Sequence, residues 1–322
     1  MKAPADPADG ADPADGADPA EGVESAEGAE PAIAGRLERL TGARVRAARP
    51  LGAQHGSSHY RVTFGDGRVA FAKLVADDTS GVLEAEARGL RWLADAGAVA
   101  VPEVLGADPA ALVEAWVPER EPDQFAAEQF GRDLAVLHAA GAERFGSPWK
   151  GFIASLPLGD RTGDAGSGGA SAAWSDWYAS KRLLPYLRRA ADTGVLTPAD
   201  TRLVEAVIGR LAGLGGPAEP PSRIHGDCWS GNVLWSGGRA WLIDPAAQGG
   251  HRETDLAMLA LFGAPYLDRI VACYQEIAPL AAGWRARVPL HQLHPLLVHV
   301  CLFGASYRSA VLAAARAALA AS

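Results

Sequence analysis

The sequence predicts an α+β fold of two lobes, a small β-rich N-lobe followed by a larger, mainly helical C-lobe. Strand-like runs with a hairpin signal lie between about residues 57 and 117. From about residue 123 onward, apolar residues recur at helical spacing, and only residues 223–244 interrupt that pattern. A length of 322 residues suggests one large or two modest domains. We divide the chain into a tail (1–32), an N-lobe (33–117) and a C-lobe (118–322).

The first 30 residues differ from the rest of the chain in charge and composition. They repeat Ala, Asp, Pro and Gly in blocks of six and carry nine acids against the single base Lys2, a net charge of −8. Prolines and like charges prevent a packed core, so we expect the tail to be disordered. A solubilising extension is the favoured interpretation, and an interaction tail is the alternative. The remaining 29 acids and 29 bases balance, which gives no electrostatic case for nucleic-acid binding.

Cysteine spacing and hydropathy bear on the compartment. Cys228, Cys273 and Cys301 lie far apart without a CxxC pair, which is typical of neither a disulfide framework nor a zinc site and fits a reducing cytoplasm. No basic segment followed by an apolar stretch opens the chain, so we expect no signal peptide. The apolar C-terminal segment is interrupted by His299 and Arg308, which favours a buried helix and no membrane partner.

The N-lobe is predicted to begin with a short amphipathic helix near Ile33 and to continue with a hairpin. Its strands are "SHYRVTF" and "RVAFAKLV", and the Gly65-Asp66-Gly67 between them is a strong hairpin signal. A helix over about residues 82–96 follows, because apolar residues recur there at helical spacing. The strand-like "ALVEAWV", which ends at Pro118, completes the lobe.

A lysine and a glutamate of the N-lobe form a predicted ion pair. Lys73 lies near the end of its strand, where the ordinary alternative is a solvated edge residue. In the next helix, Leu83, Glu86 and Leu90 share one face. An unpaired carboxylate on an apolar stripe is costly, so Glu86 needs a cation, and Lys73 on the preceding strand supplies one. Kinases use such a pair to hold nucleotide phosphates, which is the function predicted for both residues.

The stretches "RIHGDCWSGNVLW" (223–235) and "WLIDPAAQGG" contain the most specific pattern. Asp227 and Asn232 have the spacing of the catalytic-loop Asp and metal-binding Asn of kinases, and Asp244 follows an apolar strand as the second metal-binding Asp does. Asn232 and Asp244 offer the oxygen ligands that suit the Mg²⁺ of ATP. Singly, each Asp would more often be a turn former. Together and in this order, they predict a phosphotransferase with a bilobal, protein-kinase-like fold, in which Asp227 accepts the proton of an acceptor hydroxyl.

Further residues are predicted to surround the nucleotide. The turn in "GAQHGSSHYRV" should cover the phosphates, because Gly56 permits close approach and Ser57 or Ser58 can donate to phosphate oxygens. The strand "LVEAW", which contains Glu114 and Trp116, is the expected hinge, whose backbone would meet the adenine.

Three residues near Asp227 allow more than one interpretation. One His and one Cys do not make a metal site, so His225 is predicted to pack the loop. Trp229 forms either a wall for the acceptor or part of the core. Cys228 is either a thiol that blocks the acceptor pocket when oxidised or alkylated, or a buried inert one, since the nearby Asp227 raises its pKa.

Several motifs together resemble the fructosamine kinase (ketosamine 3-kinase) family over roughly residues 36–320: "HGDCWSGNVLW", "IDPAAQGGHRETDLAML", "EAEARGLRWLADAGAVAVPEVLG", "FGRDLAVLHA" and "WYASKRLLPYLRR". The resemblance implies ATP-dependent phosphorylation of the sugar 3-hydroxyl of a ketosamine, such as fructosyl- or ribulosyl-lysine in a glycated amine or protein, after which the adduct decomposes and frees the amine. It implies catalytic, nucleotide and metal roles at the matching positions Lys73, Glu86, Asp227, Asn232 and Asp244. Trp229 and His251 are the residues that we predict to contact the substrate.

The sequence departs from the family near the acceptor. Cys228 replaces a usual leucine, Gln248-Gly249 replaces a pair of aromatics, and the phosphate loop lacks a cysteine that some members carry. The glycine-rich loop 158–169 is longer than usual, and we expect it to be mobile. The phosphotransfer residues are intact, and the acceptor stays open. The alternatives are a kinase for aminoglycoside, choline or homoserine-like acceptors and a non-catalytic nucleotide-binding module, against which the intact lysine and aspartates argue.

Overall fold

The structure, a computed structural model of the chain, describes residues 31–54, 56–76, 81–159 and 173–321. The acidic tail, apart from its last two residues, and nearly all of the loop 158–169 lie outside the described residues. The described part confirms the α+β organisation, because an antiparallel sheet with two helices comes first and helices dominate from Gln124 onward.

The described N-lobe has two helices and five strands: α1 (Pro31–Thr41), β1 (Val45–Gln54), β2 (Ser57–Phe64), β3 (Val69–Leu74), α2 (Val82–Ala94), β4 (Val104–Asp108) and β5 (Ala111–Ala115). The strands form one antiparallel sheet in the order β1-β2-β3-β5-β4, so β1 and β4 are its edges. The sequence predicts α1, β2, β3, α2 and β5 but neither β1 nor β4. The β1 segment "VRAARPLGAQ" contains two arginines, a proline and a glycine and lacks the alternation typical of a strand.

The two faces of the sheet contact different helices. Ala70 and Ala72 of β3 pack in a cluster with Leu37 of α1. Successive side chains of a strand point to opposite faces, so Lys73 points away from α1. In the ladder Lys73 lies opposite Leu112 of β5, which packs on α2. The sheet therefore directs Lys73 toward the side on which α2 lies.

The described C-lobe is mainly helical: α3 (Gln124–Ala139), β6 (Phe152–Ile153), β7 (Leu156–Pro157), α4 (Trp174–Trp177), a π-helical turn (Tyr178–Leu183), α5 (Leu184–Asp192), α6 (Pro198–Ile208), α7 (Leu211–Leu214), β8 (Ser222–Ile224), a 3-10 turn (Ser230–Asn232), β9 (Val233–Ser236), β10 (Arg239–Leu242), β11 (Gln248–Gly250), α8 (Glu253–Leu261), α9 (Leu267–Ile277), α10 (Trp284–Phe303), a 3-10 turn (Gly304–Tyr307) and α11 (Arg308–Ala320). The segment 225–232, between β8 and β9, is called the catalytic loop below.

The C-terminal apolar segment forms two helices. Among the described residues, Trp284–Ala320 is the one helical stretch that is long and apolar enough, by length and composition alone, to cross a membrane. The chain interrupts it at Gly304, and α11 turns back to pack on α6 and α10. Leu293 and Leu297 of α10 are fully buried in the C-lobe core. The single buried helix predicted for the apolar C-terminal segment is therefore two helices, α10 and α11, with a turn between them.

A buried carboxylate fixes the start of the catalytic loop. Asp255 of α8 is fully buried and accepts the backbone N–H groups of His225 at 2.7 Å and Gly226 at 2.9 Å. Nε2 of His138 on α3 lies 3.1 Å from the same carboxylate, and its Nδ1 lies 2.9 Å from the Tyr274 hydroxyl on α9. Although burial opposes the charged form, the contacts with His138, His225 and the loop amide lower the pKa of Asp255. Three helices thus hold the loop in place.

We expect Asp255→Asn to lower the free energy of unfolding by about 2–4 kcal/mol, because an amide N–H₂ would face backbone donors in a buried site. Urea unfolding at neutral pH measures the change. The lowered pKa stabilises the fold above about pH 4, the ordinary pKa of an aspartate, and this contribution is lost as the pH falls. The difference between parent and variant should therefore shrink in acid. Asp192→Asn, at an exposed position, is the matched control and should change stability by less than about 0.5 kcal/mol. Equal stabilities of parent and Asp255→Asn would contradict the anchoring role.

Candidate functional site

Three segments meet at one ammonium group. Lys73 on β3 donates to Glu86 Oε1 on α2 at 2.6 Å, which confirms the predicted ion pair. The same Nζ donates to Oδ1 of Asp244, which follows β10 in the C-lobe. The side chain of Lys73 is only 7% exposed. This lysine therefore connects the N-lobe sheet, α2 and the loop after β10.

The loop after β10 and α2 lie in close contact. Asp244 has a φ of 54°, a left-handed conformation that is uncommon for a residue with a side chain. A Cβ on Gly89 of α2 would lie 3.2 Å from both Pro245 Cγ and Ala247 Cβ, closer than ordinary contact. The missing side chain lets α2 pack on the loop. Glu86, three residues earlier on nearly the same helical face, thereby reaches the lysine that Asp244 also contacts.

Burial shapes the charges around this lysine. It raises the pKa of Glu86 to about 7, with Lys73 opposing the shift and Asp244 adding to it. Burial also raises the pKa of Glu114 well above its ordinary value. Burial acts in the same direction on Asp244, but the Lys73 ammonium outweighs it and lowers the pKa of that carboxyl. Asp244 therefore stays ionised, and it and Glu86 raise the pKa of Lys73 against the effect of burial.

Asp227 and Asn232 are locked together in the catalytic loop. The side-chain amide of Asn232 donates to the backbone carbonyl and to Oδ2 of Asp227, each at 2.9 Å. The 3-10 turn Ser230–Asn232 makes this approach possible. Burial raises the pKa of Asp227 to about 7, and the charge of Asp244 adds to the effect while Asn232 opposes it. Asp227 is therefore a carboxyl group of fixed orientation whose pKa lies close to neutral pH.

The donor set next to Asp227 fits a hard divalent cation. The amide nitrogen of Asn232 is used by Asp227, so its oxygen points away and is available as a ligand. Asp244 is 26% exposed and contacts Lys73 through Oδ1, which leaves its second oxygen for a cation. Three acidic side chains lie close to one ammonium here, and Mg²⁺ and Ca²⁺ both take oxygen ligands. The residues present can hold the metal that was predicted between them.

The predicted phosphate turn lies at the Lys73 end of β3. Gly56, with a φ of +83°, stands in the turn between β1 and β2. Ser58 pairs with the residue after Lys73 in the ladder. Ser57 donates its hydroxyl proton to the carbonyl of Gln54 at 2.9 Å, so that proton is engaged within the turn. The turn has the predicted position, and its contacts with phosphate stay a prediction.

The predicted hinge residues have different surroundings. Glu114 lies opposite Phe71 in the sheet, is 3% exposed, and its Oε2 has no hydrogen-bond partner among the described residues. The N–H of Trp116 donates to the Val69 carbonyl at 3.1 Å, and its ring lies 5.3 Å from the Arg61 guanidinium. The sheet therefore uses the N–H of Trp116, and the predicted contact between the backbone of this strand and the adenine stays a prediction. Glu114 instead brings an unpartnered carboxylate oxygen to the face that carries Lys73.

A row of aromatic rings leads from the catalytic loop to the surface. Trp229 meets Phe262 edge to face with ring centroids 5.6 Å apart, and Phe262 lies 5.3 Å from His299. His299 continues the row to Tyr307 at 4.7 Å and to Phe303 at 5.5 Å. Phe303 is 49% exposed. Trp229 belongs to neither C-lobe core cluster of the described residues, which favours the acceptor wall over core packing.

The sequence predicts only the first ring of this row. The other four come from the end of α8, from α10 and from the turn that follows it, so the fold alone brings them beside Trp229. One signal was present: His299 and Phe303 are four residues apart and share a helical face. Because both residues are far from the catalytic loop in sequence, their position in the row that begins at Trp229 could not be predicted.

His251 lies outside this row, and its predicted contact with the substrate stays a prediction. Its buried ring lies 5.0 Å from Trp174 and 4.8 Å from His291, and burial lowers its pKa to about 3. His251, Glu253 and His291 are spaced closely enough for a metal ion. However, Arg287 already donates to both oxygens of Glu253, at 2.6 and 2.9 Å, and its charge would repel a cation. The cluster therefore supports the fold.

His225 and Cys228 support the catalytic loop from within. Nε2 of His225 donates to the Ile243 carbonyl at 2.9 Å, and its Nδ1 accepts the N–H of Asp227 at 3.3 Å, which confirms the predicted packing role. Cys228 is fully buried in the core next to the loop. Burial raises its pKa well above the ordinary value of a thiol. Of the two interpretations of Cys228, the structure favours the inert thiol.

We expect iodoacetamide to label Cys301, which is half-buried, at least about ten times faster than Cys228 in the folded protein, because a buried thiol of raised pKa is a poor nucleophile. Mass spectrometry of both cysteine peptides over time measures the two rates. Kinase activity should persist while Cys228 stays unmodified, and Cys228→Ala should behave like the parent. Loss of activity in step with Cys228 labelling, absent in Cys228→Ala, would restore the interpretation as a reactive thiol.

Sequence comparison places relatives over nearly the whole described chain. The model of the family described as fructosamine kinase matches residues 30–321. A probable ketoamine kinase of Thermus thermophilus is 33% identical over 287 residues, which cover 85% of this chain and 96% of the relative. A probable ketoamine kinase of Escherichia coli K12 is 31% identical over 263 residues, 80% of this chain and 87% of the relative.

Solved structures agree with this family. A fructosamine-3-kinase candidate from Thermobifida fusca has a TM-score of 0.84 at 54% identity, covering 89% of this chain and 98% of its own. An aminoglycoside phosphotransferase in complex with gentamicin has a TM-score of 0.59 at 13% identity, covering 91% and 96%, which shows the protein-kinase-like fold alone. Members of such kinase families use ATP and usually a divalent metal. The chain therefore belongs to the fructosamine kinase family and is a phosphotransferase that acts on a hydroxyl group.

Proposed function

We propose that this protein is an ATP-dependent kinase that phosphorylates the sugar 3-hydroxyl of ketosamines, the fructosamines and ribulosamines of glycated amines or proteins. The observation that carries the proposal is the Asp227 carboxylate, fixed by Asn232 beside the Lys73–Asp244 contact. The relatives named probable ketoamine kinases support the acceptor class. The phosphorylated sugar then decomposes and releases the amine, so the reaction leads to deglycation.

In this proposal Asp227 is the general base. The acceptor hydroxyl oxygen attacks the γ-phosphorus, its proton passes to the Asp227 carboxylate, and the bond from the γ-phosphorus to the bridging oxygen breaks to leave ADP. A pKa of about 7 lets the carboxylate accept the proton at neutral pH. Lys73, held by Glu86 at 2.6 Å, neutralises charge on the nucleotide phosphates.

The nucleotide lies under the N-lobe sheet in this proposal, with its metal on the C-lobe side. Asn232 and Asp244 hold the Mg²⁺ that accompanies ATP and neutralises phosphate charge. Their available oxygens, and the excess of buried carboxylates over ammonium groups, support this assignment. The predicted contacts to the phosphates remain the turn residues Gly56, Ser57 and Ser58. The predicted contacts to the adenine remain the hinge residues Glu114 and Trp116.

The aromatic row is the proposed acceptor site. Trp229, two residues after the base, and Phe262 offer flat apolar surfaces to a sugar ring. Nδ1 of His299 lies 2.7 Å from the Pro295 carbonyl, so this nitrogen carries the proton. Burial lowers the pKa of His299, so the ring is neutral and its Nε2 can accept a sugar hydroxyl. The exposed Phe303 at the outer end fits an acceptor whose sugar is attached to a larger amine.

We place the protein in the cytoplasm, without a nucleic-acid or membrane partner. Its three cysteines are free, which fits a reducing compartment. Beyond the acidic tail its acids and bases balance, so a polyanionic partner gains no net attraction.

An acceptor panel tests the function. With ATP and Mg²⁺, we expect kcat/KM for fructosyl-lysine or ribulosyl-lysine to exceed that for an aminoglycoside or choline by at least about 100-fold, because buried polar groups left unpaired reject a wrong acceptor. Coupled ADP release measures the rates, and ³¹P and ¹³C NMR of the product should place the phosphate on the sugar 3-oxygen. Preference for aminoglycoside or choline would overturn the acceptor class. ATP binding without turnover of any acceptor would indicate a non-catalytic module.

Asp227→Asn tests the base separately from binding. The variant keeps shape and hydrogen bonding but cannot accept the proton, so kcat should fall by roughly 10²–10⁴. Affinity for ATP with Mg²⁺, measured by calorimetry, should match the parent, since the base is not a proposed ligand. Thermal stability at neutral pH should stay level or rise, because the raised pKa shows that the folded state disfavours this charge. Turnover within a few-fold of the parent, or a matching collapse of ATP affinity, would rule out Asp227 as the base.

A further inference from the structure

The outer part of the N-lobe sheet is strongly basic. The segment 43–64, which contains β1 and β2 and is called the basic ribbon here, carries Arg44, Arg46, Arg49 and Arg61 and no acidic residue. β1 is an edge strand, and Arg44, Arg46 and Arg49 are exposed along it. The ribbon therefore concentrates positive charge on one edge of a body whose charge is balanced as a whole.

These arginines lack the partners that neighbouring arginines have. Arg36 and Arg68 form ion pairs at 2.6 and 2.7 Å, whereas no carboxylate within the described ranges pairs with Arg44, Arg46 or Arg49. The nearby Glu38 uses an oxygen to accept the backbone N–H that opens β1. No ion pair among the described residues therefore accounts for these three arginines.

Two of the arginines even repel each other. Arg49 of β1 lies directly opposite Arg61 of β2 in the antiparallel ladder. Like charges in opposite positions destabilise a strand pair. A negatively charged ligand along the ribbon would remove this repulsion. Charged residues on an edge strand also protect it from aggregation, which is the competing explanation for the same arginines.

The chain itself carries a matching polyanion. Residues 1–30 have a net charge of −8, and the family match begins at residue 30, after the acidic repeat. They join the described structure at Pro31, the first residue of α1, which packs on β1 and β4. A random-coil chain of 30 residues would span about 30 Å, comparable with the roughly 33 Å of a ten-residue strand. The tail can therefore reach the whole ribbon.

We propose that the acidic tail, residues 1–30, binds along the basic ribbon of its own chain. The partners are carboxylates and guanidinium groups, and the covalent connection through α1 keeps the tail at a high effective concentration. The contact is electrostatic and exposed, so salt weakens it. In this proposal the tail lies along β1 at the edge of the N-lobe sheet, beside the turn that contains Gly56.

Arginine footprinting on the full chain tests the proposal. Phenylglyoxal modifies accessible guanidinium groups, and mass spectrometry gives a rate for each arginine under limited labelling. The parent is compared with a full-length variant in which the nine acids of residues 1–30 are replaced by Asn or Gln. At about 20 mM salt, Arg44, Arg46 and Arg49 should react at least about threefold more slowly in the parent, and the difference should vanish at about 0.5 M salt.

Exposed arginines of the C-lobe are internal controls that should react equally in both proteins: Arg202, Arg210 and Arg316. Equal ribbon rates in parent and variant at low salt would overturn the proposal and leave the arginines as edge protection. Equal protection of ribbon and control arginines would overturn it too, because the tail would then have no preferred surface. Protection that grows with protein concentration would assign the ribbon to the tail of a second copy and contradict binding within one chain.

Discussion

The site depends on one buried ammonium that too many carboxylates surround. Lys73 contacts Glu86 and Asp244 directly and interacts electrostatically with Glu114. Removing its charge would leave buried acids without a cation, and they could then remain only by taking up protons. β3, α2 and the loop after β10 therefore share one electrostatic requirement. The remaining negative charge is also what prepares the same place for a divalent cation and for the phosphates it carries.

A second buried group, the Asp255 carboxylate of the C-lobe, holds the catalytic loop. Asp255 binds the loop backbone at His225 and Gly226. Asp255 fixes the main chain of the loop, whereas Lys73, on the N-lobe sheet, fixes the side chains of Glu86 and Asp244. Asp227 lies between these two attachments, and its lock to Asn232 completes the geometry of the proposed base. Because one attachment lies in the C-lobe helices and the other spans both lobes, the orientation of the base depends on the whole fold.

The parts predictable from sequence are those with local spacing. The Asp227–Asn232 interval and the position of Glu86 on an apolar stripe follow from neighbours within a few residues, and the structure shows both contacts. Asp255 could not be recognised in this way, because its partners lie about 30 and 117 residues away in sequence. The sequence of its helix also carries no pattern that indicates a buried, hydrogen-bonded carboxylate. β1 was missed because its arginines and proline obscure the alternation. The contacts of His251 with Trp174 and His291 could not be predicted either, because a motif gives order along the chain but not which side a buried ring faces.

The absence of a side chain at Gly89 lets α2 approach the loop after β10 closely. A methyl group at this position would lie 3.2 Å from both Pro245 Cγ and Ala247 Cβ, so α2 and the loop after β10 would have to separate by a few tenths of an ångström. Glu86 belongs to α2, so such a separation would also lengthen its 2.6 Å contact with Lys73. A side chain at position 89 would therefore act on the Lys73–Glu86 contact through the position of the helix alone, without touching either charged group.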